Sequence, residues 1–251
     1  MGVQHQGPGD RDRLLRPERK FLMRRAVGGR RRRARGVVRR GRIGTANVKP
    51  SEVIAGVLIG GQSRRMGTCK ALSQFHGTTF VDRVVGVAQA VVDEVVLLGN
   101  AELSTPGLTG VPRLADEPNF AGPLAGLVSL LEYAGSRWSL LIACDMPLIE
   151  AKILQRLLDA CAATVDAAAF RIAGEHDSSF PCCVVFHPRV AFEARSELAR
   201  SASLRALIGR LRCGVLEADA SEAHCLRSFN TPEEYADLIT EELARPLGCS
   251  R

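Results

Sequence analysis

Two glycines and three cationic side chains are concentrated in one short stretch of the sequence. Gly60-Gly61 follows an apolar run, Arg64-Arg65 comes three residues later, and Lys70 closes the stretch. Adjacent glycines let the backbone approach a ligand that a Cβ would obstruct. Consecutive backbone N–H groups in such a loop bind anions, and arginine and lysine add full positive charge. The stretch therefore predicts a phosphate-binding loop, and a nucleoside triphosphate is the ligand that suits this chemistry.

The spacing in this stretch differs from the two common phosphate-binding motifs. A P-loop needs G-x-x-x-x-G-K-[ST], whereas here Met66-Gly67 is separated from Lys70 by two residues. The dinucleotide-binding pattern G-x-G-x-x-G is absent as well. For the glycine pair alone, a plain tight turn after a strand is the alternative interpretation.

A second candidate site lies where the apolar run 138–143 ends in Cys144-Asp145-Met146-Pro147. A carboxylate at the end of a buried strand must be solvated, hydrogen-bonded or paired with a cation. Mg²⁺ binds one or two carboxylates together with phosphate oxygens, so Asp145 is a candidate metal ligand for a bound triphosphate. The alternative is that Asp145 caps the N-terminus of the helix that follows.

The elements that must position these residues alternate between strand and helix. Apolar runs predict strands over 53–59, 95–98, 111–115 and 138–143, with helices over 80–92, 123–133 and 151–162. This alternation predicts a Rossmann-like three-layer α/β/α fold with a mostly parallel central sheet, whose ligands bind at the carboxyl ends of the strands. In the second half we predict strands over 166–172, 180–186, 215–216 and 226–229 and helices near 190–199 and 203–211. A last helix is predicted to begin after Thr231 as N-cap, with Glu234 at its third position.

The stretch 58–70, LIGGQSRRMGTCK, resembles the signature loop of nucleotidyltransferases with a glycosyltransferase-A-like fold. Among them it is most similar to molybdenum cofactor guanylyltransferase, whose pattern is L-A-G-G-x-S-R-R-M-G-x-x-K; Ile59 stands where that family has alanine. Cys144-Asp145-Met146-Pro147 is similar to the family's C-D-x-P metal motif, and Gly122-Pro123-Leu124-Ala125-Gly126 to its G-P-L-x-G turn. Ser228-Phe229-Asn230-Thr231-Pro232 corresponds to its N-x-N-T-P segment.

The resemblance implies a role for residues of each motif. The implied catalytic residues are Arg65 and Lys70, which would stabilise charge on the phosphates, and Asp145, which would bind Mg²⁺. The implied nucleotide contacts are Leu58, Ile59, Gly60, Gly61, Lys70, Asn100, Asp116, Gly122 and Asp145. At the second strand Leu98 is an alternative to Asn100. Pro181 and Asn230 would contact the pterin, although Asn230 also has a purely structural interpretation before a capped helix.

The implied reaction is transfer of GMP from GTP to molybdenum-molybdopterin, which yields the guanine dinucleotide cofactor and pyrophosphate. A molybdoenzyme or its chaperone would be a further partner. Two alternatives remain open: the cytidylyltransferase of the same cofactor pathway, and a non-catalytic protein that binds nucleotide or cofactor.

Charge is divided unevenly along the 251 residues. Residues 1–50 hold 16 Lys and Arg against 3 Asp and Glu, whereas residues 51–251 hold 18 against 24. The first segment is predicted to be a disordered basic extension, and 51–251 the nucleotidyltransferase domain. The extension could tether the chain to nucleic acid or serve as a targeting peptide, but we favour an extension without function and do not expect a nucleic-acid partner.

The remaining composition predicts a cytoplasmic protein. No apolar run is long enough to span a bilayer, so no membrane partner is expected. The eight cysteines include no C-x-x-C pair, which favours buried reduced thiols over a zinc site or a disulfide framework.

Overall fold

The computed structural model describes residues 39–40, 48–59, 70–116, 119–172, 181–200 and 203–244, with backbone alone for 39–40 and 242–244. The strands are β1 (Arg39–Arg40), β2 (Val53–Leu58), β3 (Gln74–Phe75), β4 (Thr78–Thr79), β5 (Glu94–Leu98), β6 (Arg113–Leu114), β7 (Trp138–Ala143), β8 (Ala167–Ile172), β9 (Cys183–Phe186) and β10 (Arg212–Ala218). The helices are α1 (Phe80–Gln89), α2 (Pro123–Ala134), α3 (Ala151–Asp159), α4 (Ala191–Arg200), α5 (Leu204–Ile208), α6 (Ala220–Cys225) and α7 (Pro232–Ala244). Short 3-10 turns lie at Pro50–Glu52, Lys70–Leu72, Pro106–Leu108 and Pro188–Val190.

Eight of the described strands form one sheet in the order β1-β10-β8-β9-β7-β2-β5-β6. All neighbouring pairs are parallel except those of β9, which runs antiparallel to both β7 and β8. β2 is buried at every position because helices cover both faces of the sheet, as is typical of parallel α/β proteins. The predicted fold class, a three-layer α/β/α arrangement around a mostly parallel sheet, is confirmed.

Two apolar clusters make up the core, one on each face of the sheet. One contains buried residues of α1 and α3, and the other contains those of α2, α4 and α5. α2 approaches the sheet closely because it carries glycine at position 126. A Cβ built there would lie 2.7 Å from Leu58 Cδ2 and 3.3 Å from Leu98 Cβ, too close for a real side chain. Helix–sheet packing therefore favours glycine at position 126, because a larger residue would displace the Leu58 methyl group and crowd Leu98.

The predicted strand over 226–229 is wrong. Leu226 ends α6, and residues 227–230 form an irregular segment. Leu226 is buried in the cluster that contains α1 and α3, whereas Phe229 is buried in a separate, smaller cluster. Their hydrophobicity therefore reflects two different packing sites. Helix α6 was not predicted, although Asp219 and Glu222 form a capping box in which each side chain accepts from the other's backbone N–H.

The basic extension predicted over 1–50 lies mostly outside the described residues. Within it, Arg39–Arg40 form the short strand β1, which pairs in parallel with Arg212 and Cys213 of β10. That pairing differs from the disorder expected there, and the division of the chain at residue 50 stays a prediction. No helix in the described part of the chain is long and apolar enough to cross a membrane, and no disulfide links the cysteines of that part.

Candidate active site

The carboxyl ends of four adjacent parallel strands bring the predicted site residues to one edge of the sheet. β7, β2, β5 and β6 lie side by side, and their ends lead to Asp145, Ile59, Asn100 and Asp116 in that order. Pairing continues past the strand ends, since Cys144 N donates to Leu58 O at 3.2 Å and Ile59 N donates to Leu98 O at 3.0 Å. Neighbouring strands are about 4.8 Å apart, so Asp145 and Asp116 mark a span of roughly 14 Å. This span suits a nucleotide laid across the edge.

Asp145 is a mostly buried carboxylate with an incomplete set of partners. Its Oδ2 lies 3.8 Å from the ammonium of Lys70, whereas its Oδ1 is buried and has no hydrogen-bond partner among the described residues. Burial raises the pKa of this carboxyl above its ordinary value, although the charge of Lys70 opposes the shift. The capping interpretation is wrong, because α3 begins at Ala151 and its N-cap is Glu150.

Lys70 joins the first half of the chain to the last. Its Nζ donates a 2.7 Å hydrogen bond to Asn230 Oδ1, which lies 160 residues further along the chain. Lys70, Asp145 and Asn230 therefore form one cluster, defined here as the cation–carboxylate cluster. The structure thus brings together three residues that the sequence placed in three separate motifs.

The segment that carries Asn230 is held by hydrogen bonds at both ends. Phe229 N donates to Asp145 O at 3.0 Å, which ties the segment to the end of β7. Thr231 caps α7, because its Oγ1 accepts from Glu234 N at 3.2 Å while the Glu234 carboxylate accepts from Thr231 N at 3.2 Å. This confirms the predicted start of the last helix. The same carboxylate accepts a hydrogen bond from Asn230 N.

Helix α7 packs on the chain that follows Lys70. Tyr235 Oη donates to Gln74 O at 2.5 Å, and the Tyr235 ring contacts Phe80 edge-on. Phe229 and Leu238 are buried with the aromatic rings at the start of α1. The C-terminal helix therefore fixes the segment on which Lys70 sits.

The other end of the edge is formed by Asp116 and the turn at Gly122. Burial raises the pKa of Asp116, which follows β6. Gly122 has φ of 97°, a conformation that other residues rarely adopt, and its carbonyl accepts from the N–H groups of Ala125 and Gly126 at the start of α2. Nothing lies within 4 Å of a Cβ built on Gly122, so the backbone conformation alone favours glycine there.

The structure locates the remaining predicted nucleotide and pterin contacts only by their burial and their position in the sheet. Leu58 and Ile59 are buried in the core, and Asn100 is exposed at the edge, while Leu98 is fully buried beneath α2. Pro181 precedes β9, whose antiparallel direction brings its start to the same edge as Asp145. Gly60, Gly61 and Arg65 lie outside the described residues, so their roles stay predictions.

The sequence did not single out two groups near Asp145. Glu234 was predicted only as a capping residue, yet its charge also raises the pKa of Asp145. Cys182 is the other: burial, with a contribution from the charge of Asp145, raises the pKa of its thiol to about 12. No local pattern reveals either proximity, because both depend on how distant segments meet.

A third aspartate, Asp166, lies at the amino ends of the parallel strands, on the opposite side of the sheet from the site, and has a full set of partners. Asp166 directly precedes β8, and its Oδ1 accepts from Arg189 Nε at 2.6 Å and from Arg212 Nη2 at 2.9 Å. Its Oδ2 accepts from the backbone N–H of Arg212 at 2.9 Å and from Nε of that residue at 3.1 Å. Burial acts to raise the pKa of this carboxyl, but the hydrogen bonds from the two arginines outweigh burial and hold the pKa well below its usual range. This ion-pair network is structural.

The residues of the cation–carboxylate cluster fit a divalent cation. Asp145 offers a buried carboxylate oxygen that no group in the described part of the chain satisfies, and a cation is a partner that suits such an oxygen. Oxygen donors suit Mg²⁺, which commonly takes its remaining ligands from water and substrate phosphates. Asp145 is the described residue that would bind it.

Comparison with known proteins identifies the family. The model of the MobA-like NTP transferase domain matches residues 55–215. A probable molybdenum cofactor guanylyltransferase of Bacillus cereus is 30% identical over 186 residues, which are 71% of this chain and 92% of that protein. The corresponding protein of Bacillus cytotoxicus is 30% identical over 193 residues, 73% of this chain and 94% of its own.

Solved structures show the same fold. The molybdopterin-guanine dinucleotide biosynthesis protein A of Archaeoglobus fulgidus superimposes with a TM-score of 0.62 at 20% identity, covering 75% of this chain and 99% of its own. The family match includes most of β2 together with Lys70 and Asp145, and it ends before Asn230. The chain therefore belongs to the MobA-like NTP transferase family and is a nucleotidyltransferase.

Proposed function

We propose that the protein transfers GMP from GTP to the terminal phosphate of molybdenum-molybdopterin, with Mg²⁺ as the metal ion. One observation carries the proposal: at the carboxyl ends of the parallel strands, a lysine ammonium lies 3.8 Å from a carboxylate whose second oxygen is buried with no partner in the described ranges. A cation and a metal-binding carboxylate side by side suit a metal-bound triphosphate. The names of the Bacillus relatives, molybdenum cofactor guanylyltransferases, support guanine as the base and the pterin as the acceptor.

The reaction needs positioning and charge stabilisation more than proton transfer. An oxygen of the pterin phosphate attacks the α-phosphorus of GTP in line, the bond from the α-phosphorus to the bridging oxygen breaks, and pyrophosphate leaves. The attacking phosphate is already ionised, so no protein base is required. Lys70 and Arg65 stabilise the negative charge that develops on the phosphates. Mg²⁺, when bound at Asp145, supplies Lewis-acid polarisation of the phosphoryl oxygens.

The full chain tests the proposal directly. With Mg²⁺, GTP and acceptor loaded with molybdenum-molybdopterin, we expect release of pyrophosphate and formation of the guanine dinucleotide cofactor. Each of the four common nucleoside triphosphates is offered separately at equal concentration. Equal or faster turnover with CTP would move the assignment to a cytidylyltransferase, and binding of GTP and acceptor without product would make the protein a non-catalytic binder.

Asp145→Asn tests the residue on which the proposal depends. The matched control is Asp166→Asn, because it makes the same change in a carboxylate at the opposite edge of the sheet. We expect product formation to fail in the first variant and to persist in the second. Loss of product in both variants to the same degree would contradict the assigned role of Asp145.

A further inference from the structure

The ammonium of Lys70 is bonded to the weaker of two available acceptors. Its Nζ lies 2.7 Å from the neutral amide oxygen of Asn230 but 3.8 Å from the nearer carboxylate oxygen of Asp145. Hydrogen bonds from an ammonium to a carboxylate are typically about 2.7–2.9 Å long and stronger than those to a neutral oxygen. Lys70 therefore stops roughly 1 Å short of a direct bond to the better acceptor.

We propose that Asn230 is a positioning residue that holds Lys70 away from Asp145, so that the carboxylate stays open for a divalent cation while the ammonium stays available to a phosphate. The inference rests on the proposed function, since it assigns a role to one residue of the same site. This role differs from the predicted pterin contact. In a pterin contact Asn230 would touch the molybdopterin substrate and have no effect on metal binding.

The amide of Asn230 is oriented for this task. Its Nδ2 donates to Ser228 Oγ at 3.2 Å, so that Oδ1 is the atom directed at Lys70. Its backbone N–H is held by Glu234, and the adjacent Phe229 N–H is held by the carbonyl of Asp145. Backbone hydrogen bonds thus connect Asn230, which restrains Lys70, to Asp145, whose carboxylate is kept open.

Removing the amide has a specific consequence. The lysine side chain is a flexible four-carbon stem, so its ammonium can move about 1 Å without backbone change. Without Asn230 it would close onto Asp145, an opposite charge that attracts it strongly in a mostly buried site. The resulting ion pair would occupy the carboxylate oxygens needed by the metal and withdraw the cation from the phosphates.

Binding of Mn²⁺, followed by its electron paramagnetic resonance, tests the inference without nucleotide or acceptor. Mn²⁺ is an oxygen-seeking substitute for Mg²⁺. In the full chain, we expect Asn230→Ala to weaken Mn²⁺ binding about tenfold, and Lys70→Ala not to weaken it. The double variant should bind Mn²⁺ as Lys70→Ala does, because without the ammonium there is nothing for Asn230 to restrain.

Two further variants separate positioning from a structural role. Asn230→Asp keeps an acceptor oxygen beside Lys70, so Mn²⁺ affinity should stay at least as high as in the wild type. Thr231→Ala removes the cap of α7 but leaves the amide in place. It should lower the unfolding temperature and leave Mn²⁺ affinity unchanged.

The outcomes distinguish this inference from the proposed function. Equal Mn²⁺ affinity in Asn230→Ala and the wild type overturns the inference alone. The same holds if Asn230→Ala weakens binding equally in the Lys70→Ala background, because Asn230 would then act independently of Lys70. A wild-type protein that binds no Mn²⁺ in the absence of nucleotide also overturns this inference alone, because in the proposed reaction the phosphates of GTP supply further metal ligands. The proposed reaction is tested separately by the product assay with GTP.

Discussion

Asp145 and Asp166 lie at opposite edges of one sheet and have opposite electrostatic environments. Asp145 follows β7 and its pKa is raised. Within the part of the chain that the structure describes, it has one cation at 3.8 Å and one oxygen without a hydrogen-bond partner. Asp166 precedes β8, is bonded by two arginines, and its pKa is lowered. A carboxylate that stabilises the fold has its partners within the protein, whereas one that binds a ligand is left short of them. The contrast thus separates the proposed metal ligand from a structural aspartate.

The largest effect that this comparison predicts is on catalysis. Asp145→Asn should lower kcat/KM for cofactor formation by about a thousandfold, ~4 kcal/mol, because it removes the metal's protein ligand. At pH 7 the same variant should unfold at an equal or slightly higher temperature, since a buried, poorly paired charge is gone. Activity assays and thermal unfolding of the same preparation measure both. A variant that loses stability along with activity would place Asp145 in the structural class.

Asp166→Asn should show the reverse pattern. Loss of the charge-assisted hydrogen bonds from Arg189 and Arg212 should reduce the free energy of unfolding by about 2 kcal/mol, or the unfolding temperature by about 4–8 °C. Affinity for GTP should be unchanged, because the network lies at the edge away from the site. Urea unfolding and calorimetric titration with Mg²⁺ and GTP measure the two quantities. A drop in GTP affinity of tenfold or more would contradict the division between the two edges.

Acidification should act on the two aspartates with opposite sign. Asp166 has a lowered folded-state pKa, so its stabilisation is present above its ordinary value of 3.8 and is lost as pH falls below that value. Asp145 has a raised folded-state pKa, so its ionisation destabilises the fold as pH rises from 3.8. Compared with wild type, Asp166→Asn should be less stable at pH 7 and Asp145→Asn equally or more stable. The Asp145→Asn difference should shrink as pH falls towards 3.8, whereas the Asp166→Asn difference should persist to that pH and shrink only below it. Urea midpoints at several pH values measure both.

The smallest expected effect is stabilisation by metal. Saturating Mg²⁺ should stabilise the wild type by about 1 kcal/mol, a rise of about 2–4 °C in unfolding temperature, because the ion binds the folded state alone. Asp166→Asn should respond as the wild type does, and Asp145→Asn should not respond. Thermal unfolding with MgCl₂, against NaCl at equal ionic strength, is the measurement. An undiminished response in Asp145→Asn would place the metal elsewhere.

The sequence predicted the strands and helices whose own residues carry a clear hydrophobic or capping pattern. The apolar run 138–143 matches β7 residue for residue, and the Pro123 start of α2 is confirmed. Such strands are buried on both faces, so hydrophobicity alone marks their limits. Asp145 was predicted because it follows one of them. Asp166 precedes a strand, and its arginine partners are 23 and 46 residues away in the chain, so no local signal reveals the network.

The later part of the chain was predicted less well for a related reason. Leu226 and Phe229 lie in the segment that was predicted to be a strand, but they fill two different apolar clusters. The meeting of Lys70 with Asn230 was also beyond prediction, because it depends on where α7 packs. That packing is decided by the aromatic contacts of Phe229 and Tyr235 near Phe80. Local patterns predicted the helix and its cap, but not its place beside the site.

The hydrogen bond between Lys70 and Asn230 also sets the time at which the site can be completed during synthesis. Its two residues are 160 positions apart, and ribosomes add about 5–20 residues per second. The nascent chain therefore carries its lysine for roughly 10–30 s before the asparagine that restrains it has been made. A chain released within that interval would lack the amide that holds Lys70 away from Asp145, so we expect it to bind a divalent cation more weakly than the finished chain.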